Sequence, residues 1–179
     1  MNAQKKITAL ALAGMLLLAG CVQYIASPSP INAHPNDTFT VSIALDHCIG
    51  PIPLVHSYIC MDTSDVYGVG FDLQYDPAVI QFQSVDVSGS VLHSVAAKTG
   101  FRNSATDNGK LVVGVSKLGP VPGEEGQGLI ATVTFKAVAP GATQINFADP
   151  HMVDSTGKFL IGWPWYAATL VPASVTVTP

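Results

Sequence analysis

Between Val66 and Phe82 the chain reads VYGVGFDLQYDPAVIQF, and apolar residues fall on every second position. Val69, Phe71, Leu73 and Tyr75 alternate with Gly70, Asp72 and Gln74; Asp76-Pro77 interrupts, and the alternation resumes at Ile80 and Phe82. Side chains of an extended strand point to its two faces in turn, so a period of two predicts a strand with one buried face. Proline fixes its own φ and aspartate caps turns, so Asp76-Pro77 predicts a tight corner between two strands.

The same signal recurs along the chain. Phe39, Val41, Ile43 and Leu45 alternate with Thr40, Ser42 and Ala44. Leu111, Val113 and Val115 follow Asp107-Asn108-Gly109, whose residues tolerate positive φ and predict a hairpin turn. Leu129, Ala131, Val133 and Phe135 form the cleanest strand; Ala139 to Ala142 turns the chain, and Thr143 to Phe147 returns. Asp154 to Lys158 is another turn, and Ala173 to Val177 a last strand. Near Ser84 the parity slips, with Ile80 and Phe82 on one side and Val85 and Val87 on the other, which predicts a bulge. Gly89 to Gly100 is expected to hold a helical turn, with Val91, Leu92, Val95 and Ala96 at helical spacing and His93 on it. About nine short strands with almost no helix predict an all-β, antiparallel sandwich or barrel, in which two sheets bury their alternating faces.

The N-terminus belongs to a different logic. Lys5 and Lys6 precede an apolar run from Ile7 to Leu18, then Leu-Ala-Gly-Cys ends at Cys21. A positive start, a dozen apolar residues and small residues before a cut describe an export signal, residues 1–20, too short to span a membrane. The Leu-Ala-Gly-Cys ending resembles the lipobox of bacterial lipoproteins, which implies that Cys21 carries the lipid and that the protein is anchored to the cell envelope, outside the cytoplasm. Residues 21–37, with Pro28, Pro30 and Pro35 among serines and asparagines, then read as a tether. The globular body is expected over 38–179. Loss of Lys5 and Lys6 leaves six basic against twelve acidic residues, a net −6. With no basic patch, nucleic acid is an unsuitable partner.

Reactive side chains are few. Cys48 and Cys60 flank a proline-bearing connector, and an oxidising compartment favours a disulfide; the sharper alternative adds His47 and His56 as metal ligands, against which the spacing argues. Glu124-Glu125 sits in a Gly/Pro loop and reads as solvated. Asp62, Asp65 and Asp72 lack the close oxygen-rich pattern of a calcium loop. No histidine accompanies a serine or cysteine nucleophile in a motif. The sequence therefore implies no catalytic residue, no metal and no cofactor. Trp163, Trp165 and Tyr166 offer faces that stack on sugar rings, a possible polysaccharide platform; the alternative is that Trp163 and Tyr166 cap the core, pinned by Pro164.

Two segments together resemble cohesin domains. VYGVGFDLQYDPAVIQFQSVDV is similar to their strand–Asp-Pro–strand segment, and GQGLIATVTFKAVAPGATQINF to their Gly-rich loop, long strand and return strand. The resemblance implies a nine-stranded jelly-roll sandwich without catalysis, which binds dockerin modules of other proteins, often polysaccharide-degrading enzymes. It places the partner on the sheet face that carries Gly68, Gly70 and Asp72. In the best-known cohesins an asparagine and an aspartate of that strand hydrogen-bond the dockerin. Aligned back from Asp76-Pro77, those positions fall on Gly68 and Gly70, which have no side chain to offer.

Overall fold

The computed structural model describes residues 22–46, 48–49, 59–60, 63–161 and 168–179, with backbone alone at 48–49 and 59–60. The strands in chain order are β1 (Val22–Ser27), β2 (Ile31–Ala33), β3 (Thr38–Asp46), β4 (Cys48–Ile49), β5 (Ile59–Cys60), β6 (Val66–Gln74) and β7 (Ile80–Asp86). They continue with β8 (Val95–Phe101), β9 (Lys110–Lys117), β10 (Gly128–Ala137), β11 (Gly141–Asp154), β12 (Phe159–Ile161), β13 (Ala168–Val171) and β14 (Ala173–Val177). One sheet has the order β13-β1-β3-β10-β7; the other runs β2-β14-β11-β6-β9-β8, with β12 added beside β11. The strands β4 and β5 pair only with each other.

The all-β sandwich expected from the alternation is therefore present, and among the described residues no helix occurs. The strand count differs: the two sheets hold 12 strands, five and seven, rather than about nine. Four of them, β1, β2, β12 and β13, fall where the sequence predicted no strand, and each spans six residues or fewer. A run that short holds too few alternations to stand out from a loop.

The inward faces match the sequence pattern. Val41, Ile43 and Leu45 of β3, Val69, Phe71 and Leu73 of β6, Leu111, Val113 and Val115 of β9, and Ala131, Val133 and Phe135 of β10 are all buried. The parity slip near Ser84 is a bulge: Thr134 pairs with Ser84 but Phe135 with Phe82, so Gln83 is the extra residue. At the Asp76-Pro77 corner the Asp76 carboxylate accepts the Ala78 N–H at 2.9 Å. Gly109 at the hairpin turn has φ +74°, and a Cβ there would stand 2.2 Å from the Tyr75 carbonyl oxygen, so the turn needs glycine.

The N-terminal reading requires correction. Within the expected tether of residues 21–37, residues 22–33 are not a spacer but part of both sheets. From Val22 to Ser27 the chain lies between β3 and β13 in the first sheet, antiparallel to one and parallel to the other. It crosses the sandwich through Pro28 and Pro30 and joins β14 of the second sheet as β2. Val22, Tyr24, Ala26, Ile31 and Ala33 are buried. The prolines mark the crossing between sheets, where no ladder donor is needed, rather than an unstructured spacer. The described body begins at Val22.

Two further expectations fail locally. Gly89 to Gly100 forms no helix; Val95–Phe101 pairs with β9 along its whole length, and His93 and Ser94 take positive φ at the turn before it. Cross-strand pairing overrides the weak helical spacing. Glu124 is not simply solvated: it bridges Val66 and its carboxylate takes the ammonium of buried Lys117. That hydrogen bond holds Glu124 below the usual carboxylate range.

Candidate functional site

At the centre of the outer face of the second sheet, β6 and β9 contribute glycines, and side chains of β11 reach over those of β6. Gly70 lies between Gly114 of β9 and His151 of β11; Gly68 lies between Ser116 and Val153. The next strand out places Lys98 beside Gly114 and Ala96 beside Ser116. Period-two geometry sends these residues to one face while Val69, Phe71, Val113 and Val115 fill the core behind them. The result is a shallow groove of about 480 Å³, floored by glycine and walled by Ala96, Val153 and Phe159. Phe159 is 63% exposed, the most exposed of the large apolar side chains described. The wall is apolar and the polar atoms within it are few: the Lys98 ammonium, the Ser116 hydroxyl and the His151 ring.

Gly70 has a specific steric task. A Cβ built on it would stand 2.1 Å from Nε2 of His151 and 2.3 Å from its Cε1. The imidazole therefore lies across the backbone of β6, and only glycine leaves it room. Gly68 is similar in kind but milder, with the Val153 methyl 3.1 Å from its hypothetical Cβ. The β11 ladder breaks between Ala148 and His151, and Asp149 inside the break has φ +50°. This bulge returns the chain so that Nδ1 of His151 donates to the Asp149 carbonyl at 3.1 Å. From inside the sandwich, the Tyr24 hydroxyl donates to the His151 carbonyl at 3.0 Å.

Asp72 is on this face, but its carboxylate is occupied. Arg102 grips it through Nε and through Nη2 at 2.8 Å, and Nη2 also reaches Asp149 at 3.1 Å. Donating these hydrogen bonds to Asp72 raises the Arg102 guanidinium above its ordinary range. The ion pair forms a ridge across the sheet. Beyond it, Gln74, Gln144, Asn146 and Thr176 line a neutral second groove of about 610 Å³.

Of the other residues singled out by sequence, Cys21, His47, His56, Asp62, Trp163, Pro164, Trp165 and Tyr166 lie outside the described residues. Cys48 and Cys60 face each other directly in the β4–β5 register. Asp65 is a clamp: it accepts the Ser155 hydroxyl at 2.8 Å and the Gly123 N–H at 2.6 Å, and these bonds lower its pKa. Among the described residues no three His, Cys, Asp or Glu side chains gather as metal ligands. Sequence reasoning missed His151 and Arg102. Both act through cross-strand neighbours remote in sequence, and neither has a local motif.

A two-sheet sandwich with shallow grooves on an exposed sheet face has the form of a binding module that meets its partner across a surface. The comparisons agree. The family model for the cohesin domain matches residues 60–158, more than half of the chain, and the chain belongs to the cohesin family. Among solved structures it is similar to a non-cellulosomal cohesin from Archaeoglobus fulgidus, with TM-score 0.59, 12% identity, and 88% and 91% of the two chains covered. A cohesin module of a Clostridium perfringens family 33 glycoside hydrolase superposes with TM-score 0.64 at 11% identity, covering 89% of this chain and 98% of that one. The cohesin of OlpA from Clostridium thermocellum, solved in complex with the dockerin Doc918, gives TM-score 0.59 at 14% identity, with 88% and 99% covered. No curated protein sequence matches this chain at significance.

Proposed function

We propose that this chain is a lipid-anchored cohesin that recruits a dockerin-bearing protein to the cell envelope, and that it takes no part in catalysis itself. The partner docks on the outer face of β8, β9, β6, β11 and β12. The observation that carries this reading is the groove over Gly68 and Gly114: a floor of small residues beside exposed Phe159, on the face that includes β6, the first strand of the strand–Asp-Pro–strand segment. A flat apolar floor admits a helix backbone closely, and an exposed aromatic on its wall supplies an anchor. Solved cohesins of the same fold are held by dockerins. One fold-related cohesin is itself a module of a glycoside hydrolase, which supports a setting in polysaccharide breakdown.

The envelope location rests on the sequence: a positive start, an apolar run and Leu-Ala-Gly-Cys ahead of Cys21. Each buried methylene of an acyl chain contributes about 0.8 kcal/mol, so several chains anchor firmly. An exported body also accounts for Cys48 and Cys60, which we assign to a disulfide on the basis of their opposed register.

Calorimetry with purified dockerin modules from the same genome tests the docking reading. At least one is expected to bind, and Phe159→Ala is expected to weaken that binding at least tenfold. No heat from any module at 100-fold excess over a micromolar Kd overturns it. Detergent partitioning of the expressed chain tests the anchor: wild type is expected in the detergent phase and Cys21→Ser in the aqueous phase.

A further inference from the structure

Three places on the molecule hold polar groups that the docking reading does not use. The neutral groove of Gln74, Gln144 and Asn146 has no charge and no exposed aromatic to select a ligand. The Lys117–Glu124 pair is consumed in pinning the loop before β10. The imidazole of His151 is different, because it is held from several sides and left open at one atom.

Consider the ring atom by atom. A carbonyl oxygen only accepts, so the contact between Nδ1 and the Asp149 carbonyl puts the proton on Nδ1. The neutral ring then carries its lone pair on Nε2. Nε2 lies over Gly70, His151 lines the groove, and among the described residues Nε2 has no hydrogen-bond partner. His151 as a whole is exposed. The backbone that bears the ring is fixed from behind by the Tyr24 hydroxyl and at its approach by the bulge containing Asp149. Asp149 is itself tied to Asp72 through Arg102. An acceptor held in this way loses little freedom when it is used.

We propose that His151 is the residue of this face that selects the partner: it presents Nε2 as a fixed hydrogen-bond acceptor over Gly70. Glycine at position 70 is the condition for it, because a side chain there would displace the ring. The inference rests on the docking reading and names the chemistry that reading requires of the partner. The docked helix carries a hydroxyl or amide donor facing Nε2. Beside it stands an acceptor or carboxylate facing the Lys98 ammonium, which has no carboxylate partner among the described residues. Apolar side chains of the partner lie against Val153 and Phe159. A partner whose central residue offers only an acceptor meets Nε2 lone pair to lone pair and is rejected, because a buried polar group without its complement is costly.

The test uses whichever dockerin module of the same genome binds the full chain. Four variants are compared by calorimetry: His151→Ala, His151→Gln, His151→Asn and Gly70→Ala. Glutamine places Oε1 close to where Nε2 stands, whereas asparagine ends near Nδ1. Binding is expected to weaken about tenfold for His151→Ala and His151→Asn and to stay within threefold for His151→Gln. Gly70→Ala is expected to act like His151→Ala because the methyl displaces the ring. Thermal unfolding of each variant separates this from loss of fold, and His151→Ala, at an exposed position, provides the result if Gly70→Ala unfolds. Unchanged affinity in His151→Ala, or glutamine no better than asparagine, overturns the assignment and leaves the docking face standing. Absence of any binding module overturns the docking reading and this inference with it.

Discussion

Replacing Tyr24 distinguishes a strand from a tether by a wide margin. Tyr24 is fully buried in β1. Its ring meets Phe71 edge-on with centroids 5.9 Å apart, and Phe147 at 5.8 Å; Phe71 and Phe147 meet each other at 5.7 Å. Its hydroxyl spans to the His151 carbonyl. Truncating a buried aromatic to alanine costs about 3–5 kcal/mol through lost transfer energy and the cavity left behind. Leaving the His151 carbonyl without its donor adds about 1 kcal/mol. Tyr24→Ala should therefore lose about 4–6 kcal/mol, a large part of the roughly 5–15 kcal/mol that holds a domain together. Tyr24→Phe keeps the ring and should lose about 1–2 kcal/mol. Gln23→Ala, on the alternate face of the same strand, should stay within about 0.5 kcal/mol. Urea unfolding followed by circular dichroism gives all three from the midpoint at constant slope. At about 2–4 °C per kcal/mol for a domain of this size, Tyr24→Ala should also melt at least 8 °C lower. If Tyr24→Ala lies within 1 kcal/mol of wild type, β1 contributes nothing to the core and residues 22–33 are a spacer after all.

The remaining predictions concern other parts of the frame. Reducing the disulfide proposed between Cys48 and Cys60 should lower stability by about 3 kcal/mol, the value for a closed loop of this length, with free thiols appearing by mass-tagged alkylation only after reductant. Gly109→Ala should lose at least about 2 kcal/mol, because the positive φ is strained for alanine and its Cβ meets the Tyr75 carbonyl; Gly119→Ala, where nothing lies within 4 Å, isolates the φ contribution alone. Hydrogen bonds from Ser155 and Gly123 lower Asp65, those from Thr156 and Lys158 lower Asp154, and Lys117 lowers Glu124. A depressed folded pKa stabilises above the ordinary carboxylate range and is lost on acidification. The urea midpoint should thus be flat above pH 5 and fall between pH 4.5 and the folded values. Glu124→Ala should destabilise more than Glu125→Ala, because only the first leaves the buried Lys117 ammonium without its carboxylate.

What was legible in the sequence was whatever has a short period. Alternation over seven residues marked β3, β6 and β10, a shorter alternation beside the Asp107-Asn108-Gly109 turn marked β9, and a Pro or Gly with its aspartate marked the corners at Asp76 and Asp107. These signals are local because strand geometry and turn chemistry are local. The N-terminal strands escaped for the opposite reason. Val22, Tyr24 and Ala26 do alternate, but only over one short run, and the proline pair that follows is a signal shared by spacers and by sheet crossings. Only the partners decide between these, and they are Ala168 to Val171, Ser42 to Asp46 and Val175 to Val177.

The face itself was legible in position but not in chemistry. Aligning from Asp76-Pro77 put Gly68 and Gly70 two positions apart on one strand, which is β6, and from there their missing side chains read as a loss. In the fold the empty position is occupied from the neighbouring strand, 81 residues further along the chain, by a ring that needs the glycine beneath it. A side chain on β6 and a side chain reaching over from β11 occupy the same volume, so one excludes the other. Substitution at Gly70 and substitution at His151 are therefore not independent, and their effects should not add. In a double-mutant cycle, Gly70→Ala in a His151→Ala background should cost partner affinity almost nothing further, since the ring it would displace is already gone. A second, additive loss would mean that the partner reads the glycine backbone itself, and that the imidazole only covers it.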